Sequence, residues 1–166
     1  MKFIAILILA LSLAIPCFGQ EHHQEEEFEH HCEFEEGSLT LAIGAPYSFE
    51  IESVGVNFRM YYNIGEKICF GPEYSYFRNE EYEIVDFDFI VHYIFETHLV
   101  GIYPLFGGNY TVEVDRIDEE TEEAFGVVYG AGIHRNFSNW TIFAEYSRIE
   151  LGIDDQFVTV GIMHMF

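Results

Sequence analysis

From Ser38 to Phe166 apolar and polar residues alternate with a period of two, the signature of strands that show unlike faces to their surroundings. Eight segments carry the pattern: 39–45, 54–63, 67–77, 84–95, 98–112, 124–137, 140–149 and 156–166. Their lengths centre on the roughly 9–11 residues that a tilted membrane strand needs and exceed the five or six usual in soluble sheets. The connections predict an alternation of short and long. Asn63–Lys67, Phe95–His98 and Asn136–Trp140 read as tight turns, whereas Pro46–Ser53, Phe77–Glu83, Glu113–Glu123 and Ile149–Asp155 read as longer, acidic loops. That rhythm is expected of an up-and-down barrel with turns on one side of a membrane and loops on the other.

In the seventh segment Trp140, Ile142, Ala144 and Tyr146 share a face opposite Thr141, Glu145 and Ser147. In the fourth, Phe87, Phe89, Val91, Tyr93 and Phe95 oppose Asp86, Asp88 and His92. In the second, Val56, Phe58, Met60 and Tyr62 oppose Asn57 and Arg59; in the third, Ile68, Phe70, Tyr74 and Tyr76 oppose Glu73. An eight-stranded bore is just wide enough for side chains, and so many rings turned inward would overfill it. The aromatic set is therefore assigned to lipid and the small and polar set to the lumen. Closure removes the sheet edges that hydrocarbon cannot tolerate. The fifth segment is apolar on both faces, and its register stays open. The fold class expected is all-β: an eight-stranded antiparallel up-and-down transmembrane β-barrel over 38–166, behind a disordered N-terminal tail.

The chain's start differs. Lys2 precedes an apolar run from Phe3 to Ile15, followed by Pro16, Cys17, Phe18 and Gly19, which reads as a signal peptide over 1–19 cleaved before Gln20. The run is short for a bilayer-spanning helix. Residues 20–37, QEHHQEEEFEHHCEFEEG, have no periodic apolar face and read as an acidic, His-rich flexible tail.

The net charge of −22, from 29 acidic against 7 basic residues, argues against nucleic-acid binding, which needs a basic face for phosphates. With 17 Phe and 11 Tyr, the chain is also too apolar to be disordered throughout.

The chain resembles the small eight-stranded outer-membrane barrels of Gram-negative bacteria, of the OmpX and OmpA-barrel type. The resemblance is carried by the leader, by YPLFGGNYTVE (Tyr103–Glu113), YGAGIHRNF (Tyr129–Phe137), WTIFAEYSRI, and the terminal VTVGIMHMF. It implies an outer-membrane, porin-like barrel with its tail in the periplasm, and contacts with membrane lipid and lipopolysaccharide. It also implies that Val158, Val160, Ile162 and Phe166 form the terminal signal read by the barrel-assembly machinery; His164 departs from the usual aromatic there. The group includes adhesins, structural barrels and lipid enzymes, so the resemblance leaves activity open.

Candidate chemistry lies in three places. Arg59, Glu73, Asp86, Asp88, His92, His134 and Glu145 are expected inside the bore, either as a structural network that satisfies buried polar groups or as a narrow cation-selective path. In the tail, His22, His23, His30, His31 and Cys32 offer imidazole and thiolate ligands for Zn, Cu or Ni, without the fixed spacing of a structural zinc site; Cys32 could also pair with Cys69. The outer loops carry acids such as Glu80, Glu120, Glu122, Glu123 and Asp154, suited to divalent-cation bridging to lipopolysaccharide or to a basic protein partner. No nucleophile-elbow, zincin or phosphate-loop motif occurs. The reading is a non-enzymatic envelope barrel with a structural or surface-interaction role and no required cofactor. A metal-capturing envelope protein is the runner-up, and a soluble lipocalin-like binder is the rival, which predicts an apolar lumen and a polar wall.

Overall fold

The structure, a computed structural model, describes residues 36–97, 99–137 and 140–166. The leader, tail residues 20–35 and the ligand candidates His22, His23, His30, His31 and Cys32 lie outside them. Eight long strands follow one another: β1 (Leu39–Ser48), β2 (Val56–Gly65), β3 (Ile68–Arg78), β4 (Tyr82–Tyr93), β5 (Gly101–Asp115), β6 (Glu120–Phe137), β7 (Trp140–Glu150) and β8 (Asp155–Met165). Each pairs antiparallel with its sequence neighbours, and β8 returns to β1 from Thr40↔Met165 to Ser48↔Phe157. The result is a closed, all-β, eight-stranded barrel. Two-residue strands at Ser53–Val54 and Phe95–Glu96 extend it locally.

The alternation read from the sequence appears as alternating burial along β1, β2 and β7. Phe89, Tyr93, Ile142 and Val160 are 52, 41, 53 and 53 % exposed on the outer wall, whereas Arg59, Glu73, Asp86, His92 and Glu145 are buried within. The lipocalin-like rival needs a polar wall, and the wall is apolar. The open register of β5 is settled: Gly101, Tyr103, Leu105, Asn109 and Thr111 face in, and Ile102, Pro104 and Phe106 face out.

Two expectations change. First, the bore is not lined only by small and polar groups. Tyr61, Phe77, Tyr103, Phe143 and Phe157 point inward, with Ile51, Ile84, Ile90, Leu105, Val128, Ile149 and Met163 around them. Glycines make the room. A methyl group on Gly132 would overlap the Tyr103 ring, one on Gly161 the Phe143 ring, and one on Gly101 the His134 imidazole. Gly132→Ala should therefore cost about 1–3 kcal/mol by overpacking, read as a lower urea midpoint at unchanged slope; Ala131→Gly, on the outer wall next to it, should not displace Tyr103 and serves as the control.

Second, the long loops are shorter than their acidity suggests, and the predicted alternation of lengths is not kept. Strands β5 and β6 continue through the expected loop 113–123, pairing Glu113↔Glu122 and Asp115↔Glu120. Val112, Val114 and Thr121 supply the β-branched preference for strand. The Asp115 carboxylate accepts the N–H groups of Ile117 and Asp118 at 2.8 and 3.1 Å, closing the turn, and Glu119 takes a positive φ of 56°. The Asn79 side chain does the same for Glu81 and Tyr82, at 2.8 and 2.6 Å. On the opposite side, the turn expected at Phe95–His98 lengthens to span Ile94–Val100. There the Thr97 hydroxyl both donates to Val100 O and accepts from Val100 N–H, so β5 begins only at Gly101.

Candidate functional site

Strands β2 and β7 lie three steps apart around the ring, and their inward side chains meet across the bore. Arg59 forms a two-pronged pair with Glu145, Nη1 to Oε2 at 2.9 Å and Nη2 to Oε1 at 3.0 Å. Its Nε lies 3.1 Å from Glu73 Oε2 and also donates to the Asn57 amide oxygen. The Tyr61 hydroxyl donates to Glu73, and that of Tyr103 donates to Glu145 at 3.2 Å. The guanidinium carbon sits 4.7 Å from the Phe143 ring centre. This fork geometry fixes the guanidinium plane.

The other expected lumen residues divide into groups. Asp86 and Asp88 share the Asn109 amide, which donates to Asp88 at 2.7 Å, and Thr111 donates to Asp86. His92 packs edge-on between the Tyr61 and Tyr103 rings, its Nδ1 3.4 Å from the Cys69 sulfur. Cys69 is buried in the bore; its proposed partner Cys32 lies outside the described residues. His134 does not join the Arg59 cluster: it stacks on Tyr103 and meets Glu96 at 3.1 Å, toward the end of the barrel where β1 begins and β8 ends. Tyr61 follows from the parity of Asn57 and Arg59. Tyr103 depended on the β5 register, which the sequence left open.

Two cavities of about 20 Å³ each lie in the bore among the described residues, each with space for about one water. Arg59 lines both. The upper cavity is bounded by Glu73, Asp86, Asp88 and Glu145, the lower by Tyr61, Cys69, His92, His134 and Phe143. Above them the Phe77 and Phe157 rings stack at 5.2 Å. Buried Ile51 covers that end, held by its N–H to Ser48 Oγ at 3.3 Å, while Ser48 donates to Asp155 at 2.5 Å. Among the described residues no group of three or more His, Cys, Asp or Glu is arranged to hold a metal ion.

On the outer wall three tyrosines mark a level. Tyr110, Tyr129 and Tyr146 donate to Glu123, Glu150 and Gln156 at 2.7, 2.8 and 3.0 Å. Near the opposite end Tyr62, Tyr93, Phe137 and Trp140 form a second belt. Rings with polar tips at both rims are what an interfacial girdle requires. Val158, Val160 and Ile162 share the outer face of β8 and exposed Phe166 follows its end, with His164 between the Trp140 and Phe166 rings.

Beyond the tyrosine level the β5–β6 hairpin carries Glu113, Asp115, Asp118, Glu119, Glu120, Glu122 and Glu123. Arg116 is turned back, donating to the Asn79 and Glu80 carbonyls. Partial burial first, then the charges of Glu122 and Asp115, push the Glu113 carboxyl above its ordinary range. A raised carboxyl stabilises the folded state in its protonated form, and that contribution is lost as pH rises through the raised value. The hairpin is therefore held by its strand pairing against its own repulsion at neutral pH.

No protein-family model matches the chain, and no curated protein matches it by sequence. Solved structures do. The N-terminal β-barrel domain of Pseudomonas aeruginosa OprF aligns with a TM-score of 0.68 at 14 % identity, over 79 % of this chain and 98 % of that one. A de novo designed transmembrane β-barrel aligns at 0.60 and 16 %, over 80 % and 98 %. Ail, the attachment invasion locus protein of Yersinia pestis, solved with the heparin analogue sucrose octasulfate, aligns at 0.59 and 20 %, over 79 % and 99 %. The chain has the fold of the small eight-stranded outer-membrane barrels.

Proposed function

We propose that the chain is an outer-membrane barrel with a non-enzymatic role, presenting a negatively charged hairpin to a basic partner outside the membrane. The acidic β5–β6 hairpin above the tyrosine level carries this reading. Below it, the wall is apolar and the bore is filled, so the barrel serves as an anchor rather than a path. A hydrated cation does not fit two cavities of about 20 Å³ separated by the Arg59–Glu145 pair, and planar bilayers should show no steady conductance.

The sign of the rim selects the partner. Ail was solved with a polyanion, sucrose octasulfate; a rim rich in Glu and Asp repels such a ligand and steers cationic ones. The test uses the full chain in zwitterionic nanodiscs. An oligolysine peptide should bind at 50 mM salt and bind at least tenfold more weakly at 500 mM, because rim charges are screened beyond a few ångströms there. Sucrose octasulfate should not bind. Glu119→Gln, Glu120→Gln, Glu122→Gln and Glu123→Gln together should remove most oligolysine binding. Binding that is indifferent to salt and to these changes would overturn the reading.

A further inference from the structure

The upper cavity in the bore is lined by four carboxylates, those of Glu73, Asp86, Asp88 and Glu145, and by one guanidinium, that of Arg59. Arg59 is committed: both its prongs go to Glu145 and its Nε to Glu73 and Asn57. Asp86 and Asp88 receive only neutral donors, from Asn109 and Thr111. Asp86, a residue of the cavity lining, is 2 % exposed, and its Oδ2 has no hydrogen-bond partner. Stacked Phe77 and Phe157 close the space above, and the apolar wall surrounds it. An uncompensated carboxylate in such surroundings is costly, and something must neutralise it.

We propose that the upper cavity holds a single dehydrated hard cation, of the alkali or alkaline-earth class, between Asp86 and Asp88. The lining supports this choice. Besides the two free acids it offers oxygen atoms of Asn57, Ser75, Ser147 and Thr159 and no sulfur or imidazole, a donor set suited to hard cations rather than to transition metals. Two acids supplemented by amide and hydroxyl oxygens do not make a group of three charged ligands, in keeping with the absence of any such group among the described residues. The cavity volume has room for one bare ion among these oxygen atoms. The ion would be locked in as the barrel closes, and would act as a counter-charge to the part of the network Arg59 does not reach.

The experiment is thermal unfolding of the full chain in detergent micelles, at fixed pH and ionic strength. Choline chloride is replaced by sodium chloride in one arm and by calcium chloride in another. The wild-type melting temperature should rise by about 5 °C or more in at least one of these arms. Asp86→Asn should lose that rise while remaining folded in choline, since it removes the uncompensated charge. A hairpin variant with Glu119, Glu120, Glu122 and Glu123 changed to Gln should keep it. No rise in either ion means that protons alone neutralise the acids, and overturns the site. A rise kept by Asp86→Asn but lost in the hairpin variant assigns the ion to the rim, and also overturns it.

Discussion

Arg59→Leu should lower the unfolding free energy of the barrel by about 3–5 kcal/mol, because it leaves buried carboxylates without their counter-charge. Glu145 would lose both prongs of its pair and Glu73 its 3.1 Å contact, leaving the Tyr61 and Tyr103 hydroxyls, the weaker Asn57 amide and the His92 Nε2 at 3.9 Å from Glu145. Glu145→Leu should cost less, since Arg59 keeps Glu73. The double replacement of Arg59 and Glu145 by Met should recover much of the loss, because a buried pair exchanged for apolar groups of similar volume is often close to neutral. Urea unfolding in lipid vesicles, followed through the single Trp140 at the rim, measures all three. Equal small losses for both single variants would show that the pair contributes no more than ordinary packing.

Val160→Arg should be the second large effect, at about 2–4 kcal/mol, because it sets a charge near the middle of the apolar wall. Val160 is half-exposed between Ala144 and Ala45 on the neighbouring strands, far from either aromatic belt. Gln156→Arg, at the tyrosine level on the same strand, should cost about 0–1 kcal/mol. Depth is thus the variable, and the pair of variants isolates it. If the two cost the same, the wall does not face hydrocarbon.

The wall was readable from the sequence because a period of two sorts every strand into two sets, and the aromatic set can meet lipid. The interior was readable only in part. Parity assigns Arg59, Glu73 and Glu145 to one side of the sheet, but says nothing of which strands face each other across a ring. A sequence separation of 86 between Arg59 and Glu145 hides a direct pair. His134 has the parity of the lumen yet lies at a different height, against Glu96. The inward rings of Phe143 and Tyr103 were missed for another reason. Bulk looked incompatible with a narrow bore, but Gly161 and Gly132 across the sheet give up the volume that these rings take. The acidic stretch 113–123 concealed a hairpin because charge suggests a loop, while Val112, Val114 and Thr121 set the backbone.

One pairing stands apart from the rest. Seven of the eight strand contacts join sequence neighbours, whereas β1 and β8 meet with more than a hundred residues between them, their ends tied by Phe166 N–H to Leu39 O at 2.9 Å. That contact gains nothing until the whole ribbon has curled, so its entropy is settled in a single late event. The molecule therefore has a seam: a line along which it is zipped last and from which it would peel first, whatever the strength of the hydrogen bonds elsewhere.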